Sequence, residues 1–513
     1  MLQKQESSRH SENEDGRNKI VIPLKSILLF LVSSVVTSIV VDFVPQTNDF
    51  NWRCRSIPTS EIVNNSIMNA EKTYAIYSRS ANEDHLRHVF DIFEKFGYRR
   101  VSIEEKWDVL WCHDYPFIKM QQRMKNLSKQ QIVNHFPGCG YLTNKVDLST
   151  TRLPFLPPAF RLPLQRNEFL KYTQQNPLAT FVEKHNEHRN IIIKSPDQIN
   201  LNSNNTFVQE FVQTPFLVDG YKFDIGVYVV ITSVNPLRIY IYSGDVLLRF
   251  CPVKYYPFNA SNIDKYVVGD DYLPTWKLPS LKKYYKYLGG GMRDSFDAYV
   301  SEQNLDPSII WAQVEDYIRI TILAKEKDIV NILQSYKIQN FFDLIRFDFI
   351  VDEKLKVYLM EANMSPNLSS AHFKQNSLLY EQILYSVFNL VGIGSPLKST
   401  PLLRLEPGDE IISTEKNLAT NLNICALHGC DTSCNRSECD LCLPCLSGSH
   451  YEVLTKAYRE HLHKVNMKRI FPRPVSNIRS FNISAEVESM TKRNSWMTRW
   501  FYYKCLYDSF WCH

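Results

Sequence analysis

FFDLIRFDFIVDEKLKVYLMEANMSPNLSS, residues Phe341–Ser370, is the stretch whose reading decides the fold. Phe347–Val351 is an unbroken β-forming run, Asp352–Leu355 has turn composition, and Lys356–Met360 returns. A hairpin of this kind buries its apolar side chains. Yet Asp348 sits inside the first strand, and Glu361 and Asn363 follow the second. A turn near Lys354 brings Asp348 within about one residue of Glu361 across the ladder, and the two-residue period of a strand puts Glu361 and Asn363 on one face. Two carboxylates and an amide oxygen gathered there repel one another without a cation. Hard oxygen donors suit Mg2+, above all Mg2+ that already carries nucleotide phosphates. An exposed hairpin with scattered charge is the alternative.

Residues 208–250 extend the pattern: VQEFVQTPFLVDGYKFDIGVYVVITSVNPLRIYIYSGDVLLRF. Tyr221–Thr232 alternates as a strand, with Lys222 and Asp224 on one face and Phe223, Ile225 and Val227 on the other. Asn235-Pro236 marks a turn. Leu237–Tyr242 returns, Ser243-Gly244-Asp245 turns again, and Val246–Phe250 forms a third strand containing Arg249. Charges embedded in sheet either form a structural ion pair or line a cleft for anions, where Arg249 can grip a carboxylate in a fork.

With these blocks in order, the chain resembles the tubulin–tyrosine-ligase-like family, ATP-grasp enzymes that join an amino acid, most often glutamate, to a carboxyl group. Trp107–Phe117 and Asn134–Lys145 resemble its N-terminal blocks, and Ile191–Lys194 the strand ending in a lysine that meets ATP. Val208–Val212, Lys222-Phe223-Asp224 and Leu247–Phe250 resemble its central blocks, and Phe341–Leu368 its metal-binding block. The resemblance covers residues 90–395. It implies an α/β fold, mixed α+β, of ATP-grasp architecture, with ATP and Mg2+ as cofactors. Asp348, Glu361 and Asn363 would hold the metal. Lys145, Lys194 and Lys222 would meet phosphates, Phe223 and Asp224 would lie at the nucleotide, and Gln209, Glu210, Phe211 and Val212 would line the adenine pocket. Arg249 would bind the incoming glutamate carboxylate, assisted by Lys277. The implied reaction is attack of an acceptor carboxylate on the terminal phosphate of ATP, then displacement of phosphate from that acyl phosphate by the amine. Fixed cations and metal stabilise the charge that builds on phosphate oxygens. The implied partners are tubulin or another acidic protein as acceptor, and free glutamate.

The chain departs from the family pattern in three places. Ser195–Asn200 follows Lys194 where an Arg-Gly segment is usual, and no glycine occurs between Lys194 and Gly220. Gly226 stands where the family commonly has an arginine, two residues after the aspartate of Lys-Phe-Asp. Val267-Val268 replaces a Thr-Asn pair. These departures open a second reading, a catalytically impaired, membrane-tethered pseudoenzyme or scaffold that keeps the fold.

The formal charge of +5 is mild. It favours an acidic partner and carries no nucleic-acid signature. Ser26–Val41 has no charged residue. Extended through Ile20–Leu24, with Lys25 snorkelling, it reads as a transmembrane signal anchor, and the flanking charges favour a cytoplasmic N-terminus. Cys425, Cys430, Cys434, Cys439, Cys442 and Cys445 crowd one segment, as a disulfide knot or a zinc site would, with unpaired thiols as the third option. Tyr451–His513 reads as a solvated, partly helical tail or as a partner surface. The expected organisation is a polar tail over 1–19, the anchor over 20–41, an N-terminal lobe over 70–155, a central lobe over 156–300, a metal-binding lobe over 301–395 and a cysteine-rich tail over 396–513. The expected location is a membrane, crossed once.

Overall fold

The computed structural model describes residues 71–185, 191–202, 206–394, 414–420 and 422–513. The first four strands are β1 (Thr73–Tyr77), β2 (Arg99–Arg100), β3 (Val109–Cys112) and β4 (Ile132–Asn134). A separate antiparallel sheet holds β5 (Ala159–Leu162), β6 (Phe181–His185), β7 (Ile192–Lys194) and β8 (Thr206–Glu210), in the order β5-β8-β6-β7. The remaining strands are β9 (Phe223–Val234), β10 (Leu237–Tyr242), β11 (Leu247–Phe250), β12 (Leu273–Pro274), β13 (Phe341–Val351), β14 (Val357–Asn363) and β15 (Met467–Phe471). They join β1–β4 in an 11-stranded sheet whose spine runs β12-β11-β9-β13-β4-β3-β1-β2.

The two stretches that opened the sequence reading are adjacent in this spine. Asp343–Phe349 of β13 pairs antiparallel with Ile225–Ile231 of β9. Every residue of β13 is buried, because β9 flanks it on one side, β4 and β14 on the other, and the helix Ser308–Leu333 packs against it. A strand buried along its whole length reads as a near-continuous apolar run, and the charges that interrupt it are correspondingly informative. Helix α1 (Arg87–Lys95) buries Val89, Ile92 and Phe93 against α2 (Ser377–Leu390), with Phe93 and Phe388 ring centroids 4.6 Å apart.

Several expectations change. The hairpin strands begin earlier and end later than expected, since Phe341–Arg346 and Glu361–Asn363 also pair. Leu153–Pro163, whose prolines suggest a linker, contains β5, whose partner β8 satisfies its backbone. The C-terminal residues are not a solvated tail. Tyr458, Trp496, Trp500, Phe501 and Trp511 form a core of their own, and β15 extends the large sheet along β10. Basic side chains concealed this, yet Arg469 is itself buried, stacked 4.1 Å from the Phe501 ring and donating to the Trp511 carbonyl.

The single-pass membrane expectation is withdrawn. Among the described residues no helix is long and apolar enough to cross a membrane. The longest, Ser308–Leu333, carries Glu315, Asp316, Arg319, Lys325, Glu326, Lys327 and Asp328. The expected anchor at 20–41 lies outside the described residues.

The cysteine-rich segment is a disulfide knot, not a zinc site. Cys425 pairs with Cys442, Cys430 with Cys439, and Cys434 with Cys445, so each member of the closely spaced trio takes a different upstream partner. A fourth bridge, Cys505–Cys512, was not anticipated. Closing such loops stabilises a small domain by restricting its unfolded chain, by about 2–4 kcal/mol per bridge. Thiol alkylation of the denatured, unreduced protein, mapped by mass spectrometry, is expected to label Cys112, Cys139 and Cys251 among the described cysteines and to spare these eight. Labelling of Cys439, Cys442 and Cys445 would remove the knot.

Candidate active site

Strand periodicity assembles the site on one face of the large sheet. Lys222, just before β9, shares that face with Asp224 and Gly226. Arg346 and Asp348 stand on β13, Glu361 and Asn363 on β14, and Arg249 on β11. Asp348 lies directly opposite Gly226 on one side and Glu361 on the other, so the expected one-residue proximity is an exact cross-strand pair. Arg249 lies opposite Asp224.

The hydrogen bonds draw these groups together. Asn363 Nδ2 donates to Asp348 Oδ2 at 3.0 Å and to Glu361 Oε1 at 3.1 Å. Two carboxylate oxygens from neighbouring strands thus converge on one point. Turned over, the same amide would present its oxygen there, and the donor set would be all hard oxygen, which fits a divalent ion such as Mg2+. Arg346 forks Asp348 through Nε at 2.6 Å and Nη2 at 2.8 Å. Arg249 forks Asp224 at 2.9 and 2.8 Å and also reaches Asp348 at 3.1 Å. Burial pushes the Asp348 carboxyl up from its usual range despite these guanidiniums. Burial alone would also raise Glu361, but Lys145, 3.0 Å away, together with the Asn363 amide, reverses this and holds it at about 2.

The small sheet supplies a second wall. Val182, Phe211, Tyr255 and Tyr266 pack together, with Ile193 and Val267 against them, which gives Val267 a packing role. Lys184, on the same β6 face as Val182, donates to Gln209 Oε1 on β8 at 2.7 Å. Desolvation lowers the Lys184 ammonium to about 8, with Lys145 and Lys222 pushing the same way and Glu361 opposing. Those influences put Lys184 in the same electrostatic cluster as the large-sheet face. Lys222 is a buried residue on the large-sheet face.

Other expected residues lie elsewhere. Lys194 ends β7 on the opposite face of the small sheet, paired with Glu183. Phe223 turns into the core against Phe250 and Phe296. Lys277 is exposed, three residues beyond Pro274, which opposes Arg249. Gln209 is buried beside Lys184, whereas Glu210, Phe211 and Val212 line a groove of about 860 Å3 faced by Asp352, Lys356 and Tyr358. Ser195 begins a short 3-10 turn closed by a reciprocal cap with Gln198. Residues 186–190, which follow β6, lie outside the described residues.

Two site residues escaped the sequence reading. Lys184 sits in Phe181-Val182-Glu183-Lys184, where Glu183 breaks the apolar run, whereas Ile191-Ile192-Ile193 makes Lys194 conspicuous. Only the period of two, applied to Val182 and Lys184, carried the signal. Arg346 was passed over because it precedes the segment taken as the strand.

Its relatives make the chain a ligase-type enzyme. The model of the tubulin-tyrosine ligase family matches residues 120–400. The probable tubulin polyglutamylase ttll-15 of Caenorhabditis elegans is 42% identical over 446 residues, covering 84% of this chain and 85% of the relative. Tubulin polyglutamylase TTLL6 of Mus musculus is 25% identical over 324 residues, covering 59% of this chain and 38% of the relative. Tubulin polyglutamylase TTLL7 of Homo sapiens is 24% identical over 311 residues, covering 54% and 34%. The chain belongs to the tubulin-tyrosine ligase family.

Proposed function

We propose that the protein is an ATP-dependent ligase that adds glutamate to a carboxylate of a protein acceptor, with tubulin the acceptor its relatives' names point to. The observation that carries this reading is the convergence of Asp348 and Glu361 on one point, ringed by Lys145, Lys184 and Lys222. Lys222, a buried residue on the same face, brings an ammonium that can pair with an anion such as a phosphate.

Asp348, Glu361 and Asn363 would hold Mg2+, which supplies charge neutralisation at the transferring phosphoryl group. Lys184 and Lys222 would bind phosphate oxygens and keep them oriented for in-line attack. Gln209 holds Lys184 in place. Phe211 and Val212 would shield the base in the groove they line. An incoming amino-acid carboxylate would compete with Asp224 for the Arg249 fork, with Lys277 near the entrance.

Mg2+-dependent ATP binding, read by thermal stabilisation, followed by transfer of labelled glutamate to tubulin, tests the reading. Binding is expected to be tight at pH 7 and to weaken as pH rises through about 8, where the free protein's Lys184 loses its proton. Lys184→Arg, which stays charged, should flatten that profile. ATP binding without transfer to any acidic acceptor would leave a nucleotide-binding protein and sink the ligase.

A further inference from the structure

Gly226 is the one position of the site face where β9 presents no side chain. A Cβ there would lie 2.9 Å from Arg346 Cδ and 3.3 Å from both Arg346 Nε and Asp348 Oδ1. The space beside Gly226 is therefore filled, and filled by an arginine from the next strand. Arg346 stands two residues before Asp348, opposite Tyr228 of β9 and Asn363 of β14. Its side chain is 8% exposed and closes a fork on Asp348.

The charges explain what the arginine is for. Asp224, Asp348 and Glu361 are set against Arg249, Arg346 and Lys145. Without Arg346, Asp348 would keep the Asn363 amide and a share of Arg249, whose fork is closed on Asp224. The two oxygens of this buried carboxylate would then lose the fork that fixes their plane.

We propose that Arg346 is the positioning cation of the ligase site, reaching from β13 into the space that Gly226 leaves open on β9. The inference rests on the ligase reading. It adds that positions 226 and 346 form one exchangeable pair. An arginine at 226 would lie directly opposite Asp348 and could fork it from the other strand, provided position 346 is emptied. With Arg346 present it would collide.

The test is the cycle Arg346→Gly, Gly226→Arg and the double variant. Each is read as the Mg2+ concentration giving half-maximal ATP binding, as the rate of glutamate transfer, and as the thermal midpoint without nucleotide. Each single change is expected to weaken Mg2+-dependent ATP binding and transfer by about 10- to 100-fold, the range for removing a group that orients a metal ligand. The double variant is expected to return within about threefold of the parent on both. Should the double variant misfold, Arg346→Lys serves. It keeps the charge but loses the fork, and should raise the half-maximal Mg2+ concentration while leaving the nucleotide-free midpoint in place. Parent-like behaviour of Arg346→Gly would overturn the inference, as would a folded double variant no better than the worse single change. Those results would leave the ligase reading standing. A parent protein that neither binds Mg2+-ATP nor transfers glutamate would sink both.

Discussion

Glu361→Gln is expected to lower glutamate transfer by about 1,000-fold or more, roughly 4 kcal/mol of transition-state stabilisation, with the fold retained. Gln keeps the shape of the side chain and an oxygen that can accept from the Asn363 amide. It removes the full negative charge that Lys145 pairs with at 3.0 Å and that a bound divalent ion would need. The carboxyl is held at about 2, below its unfolded value, so it is ionised throughout the neutral range. The sign of its contribution to stability follows. That contribution is fully present above the ordinary carboxylate range and is lost as pH falls from there toward 2. Acid unfolding of Glu361→Gln should therefore show a shallower loss over that window, while activity is gone at every pH. Transfer within tenfold of the parent would mean that Glu361 is a partner for Lys145 and nothing more.

How much of this was legible in the residues depended on period two. Asp348, Glu361, Asn363, Lys222, Asp224 and Arg249 could be placed on common faces because each interrupts an apolar strand, and the structure gathers all six on one sheet face. Register could not be read so well. Nothing in the sequence states that β9 and β13 are neighbours, so Arg346 could not be matched with Gly226. Lys184 and Lys194 are ten residues apart on consecutive antiparallel strands. Their assignment turned on which face meets the large sheet, a tertiary fact. The same limit applied to Arg249. The sequence leaves it either in a structural ion pair or gripping a ligand carboxylate, and the structure closes its fork on Asp224 and Asp348. The C-terminal region misled for a different reason. Lysines and arginines there suggested solvent, but long side chains can bury their stems and stack on aromatic rings, as Arg469 does on Phe501.

Arg238→Ala is expected to destabilise the protein by about 3–5 kcal/mol, the range for stranding one partner of a buried ion pair. Arg238, on β10, donates to both carboxylate oxygens of Glu460 at 2.7 and 2.8 Å. Glu460 belongs to the helix Gly448–Leu462 of the C-terminal region and also accepts from Thr232 at 2.8 Å and Tyr240 at 3.3 Å. Burial alone would lower the Arg238 guanidinium, and Glu460 more than reverses this. The pair therefore fastens the disulfide-bearing region to the sheet that carries the site, alongside the β10–β15 ladder and the bond from the Leu237 amide to Asn494. Removing the arginine leaves a buried carboxylate with only hydroxyl donors. Arg238→Met with Glu460→Leu removes both charges and is expected to recover part of the loss. Recovery stays incomplete because Thr232 and Tyr240 lose their acceptor. Thermal midpoints of the parent, single and double variants, together with protease cleavage after residue 414, measure the effect. A single variant with the parent's midpoint and an uncut C-terminal region would mean that the ladder and the aromatic core dock this region without the ion pair.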